Sequence, residues 1–99
     1  MSERPTKLSD ADRDAALAGA EGWVYDADAL AITKTFQFKD FSEAWSFMNR
    51  AALLAEKMDH HPEWFNVYNR VEVKMTTHDA DGVTAWDFEM ANAMNGFAG

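Results

Sequence analysis

Cysteine is absent from this chain, and its absence excludes several kinds of chemistry. No disulfide can form, no thiolate can act as a nucleophile, and neither a cysteine-type zinc site nor an iron–sulfur cluster can be held. Any catalysis therefore has to use other side chains. A chain without cysteine also fits a reducing compartment.

Positive charge is scarce as well. Nine basic residues stand against seventeen acidic residues, which gives a formal net charge of −8. This charge repels a phosphate backbone, and the chain has no cluster of lysine or arginine to neutralise one. We therefore expect no direct binding to nucleic acid.

Long apolar runs are also missing. The amino-terminal segment from Met1 to Asp10 is polar and mixed in charge, and every apolar run is far too short to cross a bilayer. We expect a soluble, cytoplasmic protein with no membrane anchor. Its 99 residues predict a single domain over 1–99, small enough that self-association would be a natural way to cover apolar surface.

Capping residues and apolar periodicity predict the element order αββαββα. Two hairpins separated by helices cannot form an all-parallel sheet without long crossovers. The predicted class is therefore α+β, with two layers: a four-stranded antiparallel sheet and helices packed on one face. The predicted elements are a helix from Asp10 to about Ala18 capped by Ser9 and Asp12, strands at Trp23–Tyr25 and Leu30–Phe38, a helix from Phe41 to about Met58 capped by Asp40 and Glu43, strands at Trp64–Val67 and Val71–His78, and a last helix capped by Thr84 and Asp87. Alternation turns Val71, Val73 and Met75 of the fourth strand inward, and the buried side of the last helix comprises Trp86, Met90, Ala93, Met94 and Phe97.

The second predicted helix has a wider apolar face than one sheet requires, because its apolar residues form two adjoining stripes. One stripe comprises Phe41, Trp45, Met48, Ala52 and Ala55, and the other comprises Ala44, Phe47, Ala51, Leu54 and Met58.

The chain has three histidines, and two of them, His60 and His61, are adjacent and followed by Pro62. Imidazole is the side chain whose ordinary pKa lies near neutrality, so histidines that share one neighbourhood are suited to moving protons. Pro62 prevents the second helix from continuing past the pair, which predicts that both histidines lie in a loop. His78 ends the predicted fourth strand, and this strand end can meet the loop at one edge of the sheet.

Other interpretations of these residues stay open at this point. Three imidazoles with Glu56 or Asp59 would suffice for zinc, but adjacent histidines usually diverge and the His-Glu-x-x-His order is absent, so we expect no metal. A histidine taken singly is more often structural than catalytic. Asp87, at the third position of the last helix, can serve the cap alone. A tryptophan such as Trp23 is more often a core residue than a ligand platform, although an aromatic ring beside a histidine pair could stack on a flat heterocycle.

The residues that could take part in catalysis are separated by distinctive intervals in the sequence. Glu56 is followed after three residues by His60-His61-Pro62, after five more by Tyr68, after nine more by His78 and after eight more by Asp87. This pattern resembles the signature of the pterin-4a-carbinolamine dehydratases. The continuous stretch 56–69 is also similar to members of that family, and the resemblance covers nearly the whole chain from Gly22-Trp23 onward.

The resemblance implies a lyase that removes water from a 4a-hydroxytetrahydropterin, the product left when an aromatic amino acid hydroxylase uses its pterin. It implies no cofactor. By position, His60, His61 and His78 would be the active-site imidazoles. The pterin would be bound by Asp59, Thr76, Thr77, Asp79, Pro62 and Trp23, with Glu56 and Asp87 in supporting positions.

The implied chemistry suits these residues, because dehydration needs one proton delivered and one withdrawn, with no net oxidation or reduction. We hypothesise that His60 is the principal proton carrier and that His78 is a second acid or base at the opposite face of the ring. His61 would mainly bind the pterin. A neighbouring carboxylate, from Glu56, Asp59 or Asp87, would orient an imidazole.

The resemblance also implies a homotetramer, a dimer of dimers whose sheets join, which would account for the wide apolar face of the second helix. Two alternatives stay open. Some animal relatives bind a homeodomain transcription factor as a dimerisation cofactor, and the same scaffold can in principle serve another pterin, such as a molybdenum-cofactor intermediate.

Overall fold

The computed structural model describes residues 5–99, so the first four residues of the polar amino-terminal segment lie outside the described part. The predicted α+β class and the order αββαββα are confirmed. One short 3-10 helix, His78–Ala80, is added to that order. The main elements are α1 (Asp10–Ala18), β1 (Val24–Asp26), β2 (Ala31–Gln37), α2 (Phe41–Met58), β3 (Glu63–Val67), β4 (Arg70–Met75) and α3 (Ala85–Ala98).

The four strands form one antiparallel sheet in the order β1-β2-β4-β3, so β2 and β4 are central and the other two strands are edges. The core lies between one face of the sheet and the helices, because alternate strand residues turn to that face. Its larger side chains are Ile32, Phe36, Val71, Val73 and Met75 from the sheet, with Phe47, Phe88, Met90 and Met94 from α2 and α3.

Each long helix begins at the capping residue that the sequence predicts. The Ser9 side chain accepts a hydrogen bond from the Asp12 N–H at 3.1 Å, and the Asp40 carboxylate accepts one from the Glu43 N–H at 2.9 Å. At α3, Thr84 and Asp87 form a reciprocal capping box. These bonds satisfy N–H groups that have no partner within the helix, which is why local sequence locates the helix starts.

The end of the fourth strand differs from the prediction. β4 ends at Met75, where its ladder with β2 also ends at the pair Ile32 and Met75, so the expectation that His78 closes this strand is wrong. β2 itself begins only one residue before Ile32, at Ala31, and the preceding Leu30 leaves the extended conformation with φ 53°. The chain instead folds back on itself, and the Thr77 N–H donates to the Gly82 carbonyl at 3.0 Å.

The buried side of α3 also differs in part. Met90 and Met94 are fully buried as predicted, but Phe88 and Ala91 are buried as well, whereas Trp86 is only half-buried. Within residues 5–99, no helix combines the length and apolar content needed to cross a membrane. The cytoplasmic location stays a prediction.

Candidate active site

A cavity of about 260 Å³ brings the three histidines together beside the carboxyl end of α2 and the end of β4. Two walls form it: the loop after α2 and the segment that follows β4. Its lining residues are Asp59, His60, His61, Thr76, Thr77, His78 and Asp79. The structure thus collects side chains that are up to twenty positions apart in the chain.

The end of α2 fixes the directions of the adjacent histidines. Asp59 adopts a left-handed conformation with φ 53°, and its N–H donates to the Glu56 carbonyl, while the His60 N–H donates to the Ala55 carbonyl at 3.0 Å. This pair of bonds is a Schellman motif, which turns the chain back under the helix end. As a result, the His60 side chain is 5 % exposed, whereas that of His61 is 53 % exposed.

His60 is held by a buried carboxylate. Its Nε2 atom lies 2.6 Å from Oδ1 of Asp87, a side chain that is fully buried. The second carboxylate oxygen, Oδ2, accepts the Thr84 N–H at 2.9 Å and the Thr77 hydroxyl at 2.8 Å. One oxygen of Asp87 therefore serves the helix cap and the hydroxyl, and the other holds the imidazole.

With Asp87 ionised, the hydrogens in this network have one consistent arrangement. An ionised carboxylate only accepts, so His60 donates through Nε2–H and Thr77 donates through its single hydroxyl hydrogen. The Thr77 oxygen then accepts from the Thr84 hydroxyl, 2.9 Å away. The arrangement fixes the tautomer of a neutral His60: the hydrogen sits on Nε2, and Nδ1 carries the lone pair.

The other two histidines pair with different carboxylates near the surface. His61 Nε2 lies 2.6 Å from Oε1 of Glu56, and His78 Nε2 lies 3.1 Å from Oε2 of Glu63. Glu56 belongs to the predicted supporting set, but Glu63 does not. The predicted hairpin of β3 and β4 could have indicated Glu63, because folding β3 onto β4 brings the start of β3 close to the end of β4.

Two of the predicted pterin-binding residues do not line the cavity within this chain. Trp23 lies in the core, 4 % exposed, where its ring packs edge-on against Phe36 and its indole N–H donates to Oδ1 of Asn95 at 3.2 Å. Pro62 follows the histidine pair but is not among the lining residues. The aromatic ring next to the site is instead Trp86, which meets the His60 ring edge-on with centroids 5.8 Å apart.

The geometry of the imidazoles suits proton transfer better than metal binding. Each Nε2 atom faces its own carboxylate rather than a common centre. Among residues 5–99, no group of three or more histidine, aspartate or glutamate side chains is arranged to hold a metal ion.

A larger cavity, about 540 Å³, lies over the face of the sheet opposite the helices. Its lining includes Lys34, Glu63, Phe65, Glu72 and Lys74 but no histidine. The smaller cavity is the better candidate for acid and base chemistry, because it holds every imidazole of the chain.

The chain is similar throughout to known proteins. Residues 6–97 match the family model described as pterin 4 alpha carbinolamine dehydratase. A protein of Novosphingobium aromaticivorans named as a pterin-4-alpha-carbinolamine dehydratase is 65 % identical over 92 % of this chain and 95 % of its own length. One of the same name from Rhodopseudomonas palustris is 59 % identical over 93 % of this chain and 91 % of its own length.

A solved structure is similar in fold as well as in sequence. The crystal structure of a protein described as a transcriptional coactivator/pterin dehydratase from Brucella melitensis superposes with a TM-score of 0.93. The two sequences are 51 % identical, and the match covers 95 % of this chain and all of that one.

Proposed function

This chain belongs to the pterin 4 alpha carbinolamine dehydratase family, and we propose that it is a hydro-lyase that removes water from a 4a-hydroxytetrahydropterin. Its product would be the quinonoid dihydropterin, so the enzyme would serve pterin cofactor recycling after aromatic amino acid hydroxylation. The observation that carries the proposal is the single cavity lined by three histidines, each paired with its own carboxylate.

The reaction needs an acid and a base but no redox partner. The acid gives a proton to the hydroxyl oxygen as the carbon–oxygen bond breaks, and the bonding pair leaves with the oxygen as water. The base takes the proton from the adjacent ring nitrogen, and the electron pair of that N–H bond forms the new carbon–nitrogen double bond. Each such proton transfer typically accelerates a reaction by about 10²- to 10⁴-fold.

His60 is the best candidate for the principal proton carrier. Its hydrogen bond to Asp87 fixes the ring and leaves Nδ1 as the nitrogen that can exchange a proton. Burial of the pair removes competing water, and the same carboxylate can stabilise the imidazolium that forms when the ring accepts a proton.

The remaining lining residues suit binding and the second proton transfer. His78, on the opposite wall of the cavity, is the second acid or base, and His61 is mainly a binder of the pterin ring. Asp59 and Asp79 supply carboxylates, which suit the amino and ring N–H donors of a pterin. The Thr76 hydroxyl donates to the Leu30 carbonyl at 2.7 Å, so any contact it makes with the pterin would use its oxygen as an acceptor.

The direct test is an assay of the purified chain on a 4a-hydroxytetrahydropterin, followed by ultraviolet absorbance. We expect dehydration well above the spontaneous rate. A rate equal to the spontaneous one would contradict the proposal. Activity confined to a different pterin would keep the acid and base chemistry but reassign the substrate.

We also propose that the enzyme is a homotetramer, a dimer of dimers. α2 uses one of its stripes for the core, whereas the other leaves large apolar side chains in solvent: Phe41 is 46 % exposed and Trp45 is 56 % exposed. The edge strand β3 likewise exposes Phe65 and Val67. Packing of α2 faces and joining of sheet edges would cover both surfaces.

The assembly can be tested at Trp45. We expect Trp45→Glu to reduce the assembly to a dimer or a monomer, because a carboxylate would have to be buried without a partner in the helix interface. Sedimentation velocity measures the change. Ser46→Glu adds the same charge at an exposed polar position of α2, about 100° around the helix from Trp45, and should leave the assembly intact. A tetramer in both variants would contradict the proposed interface.

A second candidate function is that of a binding module for a transcription factor. The related Brucella melitensis protein is described as a transcriptional coactivator as well as a pterin dehydratase, and the exposed apolar face of α2 suits a helical partner. Self-association would use the same face. A tetramer that stays intact when candidate partners are added would speak against this second function.

A further inference from the structure

The Glu63 carboxylate faces His78 but takes no part in the proton transfers proposed for the histidines. His78 is the most exposed of the three histidines, since 82 % of its side chain is accessible. Within residues 5–99, the structure gives its ring one hydrogen bond, from Nε2 to Oε2 of Glu63 at 3.1 Å. The backbone beneath it is a 3-10 helix of only three residues, His78–Ala80.

Glu63 is anchored more firmly than the imidazole it meets. It is the first residue of β3 and lies opposite Lys74 in the ladder between β3 and β4. A side chain that starts from a sheet can restrain a ring that starts from a short, exposed turn. Glu63 also lines the larger cavity over the open sheet face, whereas His78 lines the smaller one, so their hydrogen bond joins the lining of one cavity to that of the other.

The contact resembles that of His60 in its hydrogen-bond chemistry but not in its burial. In both cases a carboxylate accepts from Nε2, which leaves Nδ1 of a neutral ring as the basic nitrogen. Asp87 holds His60 inside the protein, where packing also restricts the ring. The exposed ring of His78 lacks that packing, so its orientation depends more strongly on its carboxylate.

We propose that Glu63 is a positioning residue for His78 in the dehydration reaction, an inference that rests on the proposed function. Glu63 holds the ring in one orientation and tautomer and does not itself touch the pterin. Because orientation of a proton-transferring group acts mainly on the chemical step, its loss lowers kcat more than it changes KM. An exposed pair contributes modestly, so the expected loss is about three- to tenfold.

The matched variants are Glu63→Ala and Glu72→Ala. Both remove a glutamate from the same open face of the sheet, but Glu72 pairs with Arg70 and lies away from the histidines. We expect a fall in kcat in the first variant and wild-type kinetics in the second. Glu63→Gln should recover part of the lost rate, because its amide oxygen can still accept from Nε2–H. An unchanged kcat in Glu63→Ala, or an equal loss in Glu72→Ala, would overturn the proposal.

A double-mutant cycle separates positioning from a general structural effect. In a His78→Gln background, Glu63→Ala should cause almost no further loss, because the group on which Glu63 acts is gone. If each substitution instead lowers kcat by its full factor in the double variant, so that the two factors multiply, the proposal is overturned.

A measurement that does not depend on enzyme activity can test the contact between Glu63 and His78 separately from the proposed function. The chain has three histidines, so their ring nitrogen resonances can be resolved by ¹⁵N NMR. We expect Glu63→Ala to shift the His78 ring signals and to leave those of His60 and His61 in place. Unshifted His78 signals would overturn the contact itself, whereas shifted signals in a chain without dehydratase activity would contradict only the proposed function.

Discussion

His60→Gln is expected to lower kcat/KM for dehydration of a 4a-hydroxytetrahydropterin by about 10²- to 10⁴-fold, the usual contribution of a group that transfers a proton. Glutamine is the informative replacement, because its amide can still donate to the Asp87 carboxylate that His60 meets at 2.6 Å. The variant keeps the buried carboxylate partnered but has no imidazole at position 60 to accept or release a proton. Stopped-flow ultraviolet absorbance gives the rate.

Two comparisons make this result specific. His61→Gln should raise KM more than it lowers kcat, because we propose that His61 mainly binds the ring. Thermal unfolding of the His60→Gln variant should stay close to that of the wild type, which would exclude a folding defect as the cause. A folded His60→Gln protein with wild-type turnover would remove the central role of His60.

Asp87→Ala is expected to reduce the free energy of unfolding by about 3 to 5 kcal/mol, because each buried donor left without an acceptor costs about 1 to 3 kcal/mol and three donors lose theirs. Three donors meet this fully buried carboxylate: His60 Nε2, the Thr77 hydroxyl and the Thr84 N–H. Alanine would leave all three without an acceptor in the interior. Urea denaturation at neutral pH measures the change.

The part of this lost unfolding free energy that comes from helix capping alone can be measured separately. Asp40 caps α2 through the Glu43 N–H but holds no histidine, so Asp40→Ala should cost only about 1 kcal/mol. An Asp87→Ala loss no larger than that would mean that Asp87 serves the cap alone, which is the interpretation that the sequence leaves open.

Asp87→Asn tests the chemical role of the same residue. Asparagine has one donor and one acceptor group, so it cannot accept from all three partners. Any arrangement that turns its amide nitrogen toward His60 would force the imidazole hydrogen onto Nδ1. We expect kcat to fall by roughly 10- to 100-fold with a much smaller loss of stability than in Asp87→Ala. Wild-type kcat in this variant would contradict the orienting role.

Local sequence was sufficient for most of the fold. The helix starts at Ser9, Asp40 and Thr84 could be predicted because a cap satisfies N–H groups only a few residues away. The inward face of β4 followed from alternation, and Val71, Val73 and Met75 are buried as expected. The end of β4 was predicted wrongly, because a strand ends where its neighbour stops pairing, and β2 is remote in sequence.

The candidate site could be predicted only in part. The spacing around His60, His61 and His78 indicated the imidazoles, and they line one cavity. The carboxylate of Glu63 was missed, and Trp23 was expected near the pterin but lies in the core. Contacts of this kind depend on how remote segments meet, which neither spacing nor periodicity reports.

Local sequence specifies which chemistry is available and where the helices begin. It has no thiol, few cations and three imidazoles at a distinctive spacing. The packing of the folded chain is what buries one imidazole against Asp87 and brings the other two to Glu56 and Glu63 near the surface. The physical reason is that caps and periodicity are satisfied within a few residues, whereas burial and hydrogen-bond partners are set when distant segments pack together.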